Sequence, residues 1–284
     1  MQTKLPDIET LRILYHEQLL SFGDIAKRYE VSRASVYQMF RRHDIPIRSK
    51  SEARLLALKR GKIKGHQHHQ FNRAFFDEWS APMAYILGLV YADGYVRFDR
   101  LVFCFGTNGL ADVWRIIQLM ESNARPKEVA NNGFVSWRVT FCSNYLVERL
   151  HLLGTPIGKK SYNIRFPVDI PAALQRHFIR GYWDGDGTAT NSQIKFSSVS
   201  CEFLQSVSDC LTLLDHNLGA GNIYSQKRAP RSVPQGGFTR NPVVSHTLVY
   251  CSQSARQAIY DLFYDEVPEN QYSARKRERF EYNL

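Results

Sequence analysis

The sequence predicts an α+β fold in which two related half-domains follow a small all-α unit. The first observation behind it is a repeated motif: Ile86-Leu87-Gly88-Leu89-Val90-Tyr91-Ala92-Asp93-Gly94 recurs as Ile179-Arg180-Gly181-Tyr182-Trp183-Asp184-Gly185-Asp186-Gly187. The second is a strand-like segment behind each copy. Val139-Thr140-Phe141-Cys142-Ser143 leads into a helical pattern with Leu146, Leu150 and Leu153. Leu248-Val249-Tyr250-Cys251-Ser252 leads into one with Ala255, Ile259 and Phe263. The third is a basic closing segment, Lys159-Lys160-Ser161 in one copy and Arg275-Lys276-Arg277 in the other. Three correspondences in the same order indicate internal duplication. Each copy reads as αββαββα, over residues 79–170 and 171–284. Period-two alternation marks strands from Phe134 to Phe141 and from Gly221 to Arg228.

The all-α unit is read over residues 1–55. Ile8, Leu11, Leu14, Tyr15 and Leu19 recur at helical spacing. Ser21 with Asp24 forms a capping box in which Asp replaces the usual Glu. Ser32 caps a second short helix with Val36, Tyr37 and Phe40 on its apolar side. The stretch from Phe22 to Ala53 resembles the helix-turn-helix of resolvase-like and sigma-like DNA binders. It departs from them at Glu30, where such turns often hold Gly. The resemblance implies that Arg33, Ser35, Tyr37, Gln38 and Arg41 face a DNA groove. Residues 56–78 read as a basic linker. Within it His66, His68 and His69 lie beside Lys62 and Lys64, a polar run with no further ligand cluster to complete a metal site.

Composition narrows the partner. A net charge of +10 over 284 residues favours a polyanion. No apolar run approaches the roughly 20 residues that span a bilayer, so a membrane is not expected. The N-terminus lacks the apolar segment of a signal peptide. Five cysteines with no CxxC pair argue against a disulfide framework or zinc ribbon. A reducing intracellular setting follows, cytoplasmic or organellar.

The repeated motif carries the chemistry. Gly88 and Ala92, like Gly181 and Gly185, lie one helical turn apart on one face. Small residues there let two helix backbones approach closely. An interior glycine costs a helix about 1 kcal/mol relative to alanine, so its repeated use implies packing. The natural partner of each motif helix is the other, about a pseudo-two-fold axis. Each helix ends at Asp-Gly, where Gly94 and Gly187 suit a left-handed position beyond the helix end. Asp93 and Asp186 then stand at the negative ends of two helix dipoles. Bound cations resolve that conflict, and carboxylate with carbonyl oxygens suits Mg²⁺. Two ions could flank the attacking and leaving oxygens of a phosphodiester. A calcium loop starting at Asp184 fails, because its Gly and Glu positions hold Ala189 and Lys195.

The motif pair and its downstream partners resemble the LAGLIDADG homing endonucleases of the monomeric two-motif type. That resemblance implies the homing endonuclease fold, with two antiparallel sheets as a saddle over double-stranded DNA. It implies site-specific, metal-dependent double-strand cleavage of the kind that drives intron homing. Asp93 and Asp186 would hold two or more Mg²⁺ ions, assisted by the carbonyls of Ala92 and Gly185. Lys160 and Lys276 would lie near the cut phosphates, and Asp184 would be structural. Alternation places Ser136, Arg138 and Thr140 on the DNA side, with Asn222, Tyr224, Gln226 and Arg228 in a second polar row. Arg97 and Lys195 join them on strands soon after the motifs. The segment Ala229 to Pro242 interrupts a predicted hairpin. Two rivals stay open: a catalytically silent DNA-binding regulator, and a maturase that binds intron RNA on the same scaffold. The absence of an N-terminal Cys or Ser nucleophile and of a terminal His-Asn pair argues against an intein and for a freestanding protein, and the internal pseudo-two-fold symmetry leads to the expectation of a monomer.

Overall fold

Hydroxyl and carboxylate caps set the helix starts in the N-terminal unit. α1 (Ile8–Arg12) begins after Asp7, whose carboxylate accepts from the Thr10 amide at 2.9 Å, and continues as a π-helical turn, Ile13–Glu17. α2 (Phe22–Arg28) opens on the reciprocal pair. The Asp24 amide donates to Ser21 Oγ at 3.2 Å, and the Ser21 amide donates to Asp24 Oδ2 at 2.8 Å. α3 (Arg33–Arg42) starts after Ser32, whose hydroxyl accepts from the Ser35 amide at 3.0 Å. Between α2 and α3 the chain turns at Glu30 with φ of 53°. A residue with a Cβ there costs about 1–2 kcal/mol, the strain that glycine would avoid. Leu11, Leu14, Tyr15, Ile25, Val36 and Phe40 bury between the helices.

The computed structural model describes residues 5–62, 69–131, 133–156, 164–228, 232–233, 237–238 and 243–284. It divides into two compact units, Met1–Gly65 and His66–Leu284. The division differs from a first domain ending at residue 55 and a linker over 56–78. α4 (Lys50–Lys59) runs across the predicted boundary. Arg60 just beyond it donates to the carbonyls of Leu19 at 3.1 Å and Gln18 at 2.7 Å, which ties it to the first unit. At the other end, Phe71 and Phe76 bury in the core of the second unit. The expected polar role of His66 and His68 lies outside the described residues. His69 stacks edge-on to Phe141.

The second unit repeats one order of elements twice. The first copy is α5 (Ala81–Ala92), β1 (Tyr95–Arg97), β2 (Arg100–Phe105), α6 (Leu110–Leu119), β3 (Lys127–Asn131), β4 (Phe134–Cys142) and α7 (Asn144–Leu152). The second is α8 (Ala172–Asp186), β5 (Gly187–Thr190), β6 (Gln193–Ser198), α9 (Cys201–Leu214), β7 (Asn222–Arg228), β8 (Ser232–Val233), β9 (Gly237–Phe238), β10 (Val243–Tyr250) and α10 (Gln253–Tyr264). The short β8–β9 pair is inserted in the second copy, and α11 (Ala274–Glu281) is appended to it. The main sheets are antiparallel, in the matching orders β1-β2-β4-β3 and β5-β6-β10-β7.

One face of each sheet packs on helices. Leu101, Phe103, Val139 and Phe141 bury from the first sheet, and Ile194, Phe196 and Leu248 from the second. Each such side chain contributes about 1.5–3 kcal/mol. Period-two geometry therefore turns the intervening residues to the opposite face. Register fixes them across strands: Arg138 pairs with Cys104 and Lys127, and Lys195 pairs with Val249, which pairs with Asn222.

Candidate metal centre and nucleic-acid interface

The glycines of the repeated motif mark where two backbones touch. A Cβ added at Gly88 would lie 2.1 Å from the Phe178 carbonyl oxygen and 2.7 Å from the Tyr182 nitrogen. One at Gly181 would lie 2.0 Å from the Tyr85 oxygen, and one at Gly185 would lie 2.3 Å from the Ala92 Cβ. No side chain fits at these distances, so α5 and α8 pack along Gly88, Ala92, Gly181 and Gly185.

The glycines after the motif have a different reason from the one expected. Neither Gly94 nor Gly187 has positive φ, and Gly187 leaves α8 in an extended conformation. The expectation of a left-handed position is wrong at both. Space decides instead. A Cβ at Gly94 would sit 2.6 Å from the Val90 Cα, and one at Gly187 would sit 2.3 Å from the Trp183 ring. The chain folds back sharply from helix to first strand, and only glycine leaves room for the preceding turn.

That geometry brings the two aspartates to adjoining helix ends. Asp93 is the C-cap of α5 and half-buried; Asp186 is the last residue of α8 and exposed. A Cβ at Gly185 would lie 3.0 Å from Asp93 Oδ2, so the Asp93 carboxylate reaches across the helix seam to the residue before Asp186. Both carboxylates act electrostatically on the Tyr182 hydroxyl and on the Lys276 ammonium. Anions at helix C-termini oppose the dipoles there, which makes this end of the helix pair receptive to cations. Among the described residues no group of three or more His, Cys, Asp or Glu side chains gathers. Two carboxylates with last-turn carbonyls fit a hard divalent ion that keeps water or phosphate oxygens as its remaining ligands.

Lys276 lies below this end rather than on an open surface. It is buried in the first turn of α11 and donates to the carbonyls of Trp183 at 3.5 Å and of Gly187. Its ammonium sits 5.2 Å from the centre of the Trp183 ring. Burial pulls its pKa down, while Asp184, Asp93 and Asp186 pull it up. Lys160 lies outside the described residues.

Asp184 is buried, and burial raises its pKa against the opposing pull of Arg115 and of hydrogen bonds from Tyr85 and Ser273. The Tyr85 hydroxyl and the Ser273 amide each donate to its Oδ2 at 2.7 Å. Arg180, fully buried, donates to the Gln271 carbonyl at 3.0 Å and the Phe263 carbonyl at 3.2 Å. Sequence reasoning missed this network of Tyr85, Asp112, Arg115, Arg180 and Ser273. A visible signal was Arg180 itself, a cation within the glycine-packed motif where the first copy has Leu87. Such a residue is almost never fully buried unless paired.

The candidate nucleic-acid face is the side of each sheet away from the helices. Arg97, Ser136, Arg138 and Thr140 lie there on the first sheet. Lys195, Asn222, Tyr224 and Gln226 lie there on the second, opposite the core-facing Phe196, Leu248 and Ile223. Arg228 ends β7, paired through its backbone with Val243, and its side chain lies outside the described residues. In the N-terminal unit Arg33, Ser35, Tyr37, Gln38 and Arg41 are all exposed on α3, opposite the buried Val36 and Phe40.

Paired motif helices, each ending in an aspartate ahead of its own four-stranded antiparallel sheet, give this unit its mixed α+β fold. Residues 173–232, within the second half, match the family model of the LAGLIDADG-like domain. No curated protein sequence matches the chain. Among solved structures, I-DmoI in complex with DNA and Ca is 16% identical, with a TM-score of 0.42 over 70% of this chain and 96% of that one. Full-length DUF199/WhiA from Thermatoga maritima is 12% identical, with a TM-score of 0.42 over 74% of this chain and 64% of that one. Likenesses this distant say nothing of what this chain binds or cuts. No described helix is long and apolar enough to cross a membrane.

Proposed function

We propose that the chain is a site-specific DNA endonuclease that depends on divalent metal and cuts both strands of a duplex. The observation that carries the reading is the glycine-packed crossing of α5 and α8, which delivers Asp93 and Asp186 to adjoining helix ends. Asp93, Asp186 and the carbonyls of Ala92 and Gly185 would hold Mg²⁺ or a similar hard ion. Such ions, when bound, supply positive charge to a phosphodiester and acidity to water. Lys276 adds positive charge from beneath, through the end of α8, rather than by reaching a phosphate itself. Lys160 is the matching basic residue of the first half by sequence position. The two open sheet faces hold the duplex, with Arg97, Arg138, Lys195, Asn222, Tyr224, Gln226 and Arg228 touching bases or phosphates. α3 of the N-terminal unit adds a second contact region through Arg33, Ser35, Tyr37, Gln38 and Arg41.

The test is cleavage of duplexes selected from a randomised library, in Mg²⁺ and in EDTA. Asp93→Asn and Asp186→Asn each abolish double-strand cleavage and keep DNA binding. Normal cutting by either variant refutes the site. Removing residues 1–65 shortens the footprint and weakens binding; an unchanged footprint removes α3 from the interface. A silent DNA-binding regulator is the second reading, favoured by the burial of Lys276 against backbone carbonyls. Binding by the unmodified chain without cutting in any divalent metal establishes that reading instead.

A further inference from the structure

Ser273 stands where a helix cap belongs, yet its hydroxyl makes no cap bond to α11. Its Oγ donates instead to Asp112 Oδ1 at 2.7 Å, on α6 of the other half. Its amide donates to Asp184 Oδ2 on α8, which also accepts from Tyr85 on α5. Asp112 is held in turn by Arg115 at 2.8 Å, and Arg115 donates to the Tyr272 carbonyl at 2.9 Å. The start of α11 is therefore pinned from both halves, in a region closed to water where each unmade bond would be costly. One turn further on, Lys276 meets the end of α8.

The first half has a different bond at the matching motif position. Tyr91 occupies the motif position of Asp184. Its hydroxyl donates to the Leu153 carbonyl at 3.0 Å, where α7 ends and the chain runs on toward Lys160.

We propose that Asp184 and Ser273 are positioning residues that fix the start of α11 and so hold the Lys276 ammonium beneath Asp93 and Asp186, making the second half's site depend on Asp112 of the first. The role rests on the nuclease reading of the same site. A fixed ammonium has two opposite effects. It repels an incoming cation, and it supplies charge that a phosphate needs. Freeing α11 therefore tightens cation binding while it slows cleavage. General loosening of the fold weakens both.

The experiment uses the full chain, with Tb³⁺ as the cation and its luminescence sensitised by Trp183. The variants are Ser273→Ala, Ser273→Thr, Asp184→Asn and Lys276→Met. Ser273→Ala and Lys276→Met each bind Tb³⁺ tighter by roughly three- to tenfold, as loss of a nearby like charge requires. Both convert nicked plasmid to linear at least about tenfold more slowly, the range of a lost electrostatic contributor. Ser273→Thr, which keeps the hydroxyl, restores both values. Unchanged or weaker Tb³⁺ binding in folded Ser273→Ala overturns the proposal. So does failure of Ser273→Ala to fold, which would make the hydroxyl a prop of the fold instead. If Asp184→Asn does not fold, Ser273→Ala decides alone, because it leaves every backbone bond in place. If the unmodified chain does not cut, the nuclease reading falls, and the Tb³⁺ affinities still decide whether Ser273 positions Lys276.

Discussion

α5 and α8 carry the same motif, but only α8 has charge in its interior. From Ala81 to Ala92, α5 holds no charged residue and buries nearly every side chain. α8 buries His177, Arg180 and Asp184 along with its apolar residues. The positions that match include the ones where backbones meet, Gly88 with Gly181 and Ala92 with Gly185, the terminal Asp93 with Asp186, and the flanking Ile86 with Ile179 and Gly94 with Gly187. The rest diverged according to what each helix must anchor. The first half closes with the Tyr91 hydroxyl on the Leu153 carbonyl. The second half has an extra helix, α11, to seat, and it does so with Arg180, Asp184 and Ser273. Duplication thus kept the contact surface and the terminal aspartates, and let the means of fastening differ.

The largest expected effect breaks the shared part. Gly181→Ala forces a Cβ to 2.0 Å from the Tyr85 carbonyl oxygen. We expect a loss of about 3 kcal/mol or more from overpacking, read as a lower midpoint in thermal or denaturant unfolding. A loss below about 1 kcal/mol would mean that the helices can separate freely. Comparing the two fasteners sharpens the contrast. Asp184→Asn should cost more than Tyr91→Phe, which removes one hydrogen bond worth about 1 kcal/mol. Equal losses would show that the buried charge adds nothing.

A smaller effect separates the helices by pH. His177 on α8 has its pKa lowered to about 4, first by burial and then by Arg180 and Arg176. α5 has no such group. A histidine with a depressed folded pKa leaves stability unaffected above its ordinary value of 6.5, and stability falls as pH drops from there toward 4. His177→Gln should flatten that part of the unfolding profile, whereas an unchanged slope would place the effect elsewhere. The smallest effects lie on the open faces. Arg138→Ala and Lys195→Ala should each weaken DNA binding modestly and reduce the salt slope by about one if they contact phosphate. If only one variant does so, the two halves share the duplex unequally.

Local chemistry was legible in the sequence because it acts between near neighbours. The caps at Ser21 and Ser32, the strand alternation behind Arg138 and Asn222, and the spacing of Gly88 with Ala92 all follow from bond geometry within a few residues. The duplication was legible as well, and with it the pairing of Asp93 with Asp186. Only the tertiary structure decided how Ser273 meets Asp112, where Lys276 points, and why Gly94 and Gly187 must lack a side chain. Those outcomes depend on which surfaces meet after the chain has folded. A serine spaced as a helix cap cannot show, from its neighbours alone, that a carboxylate from the other half will take its hydroxyl instead.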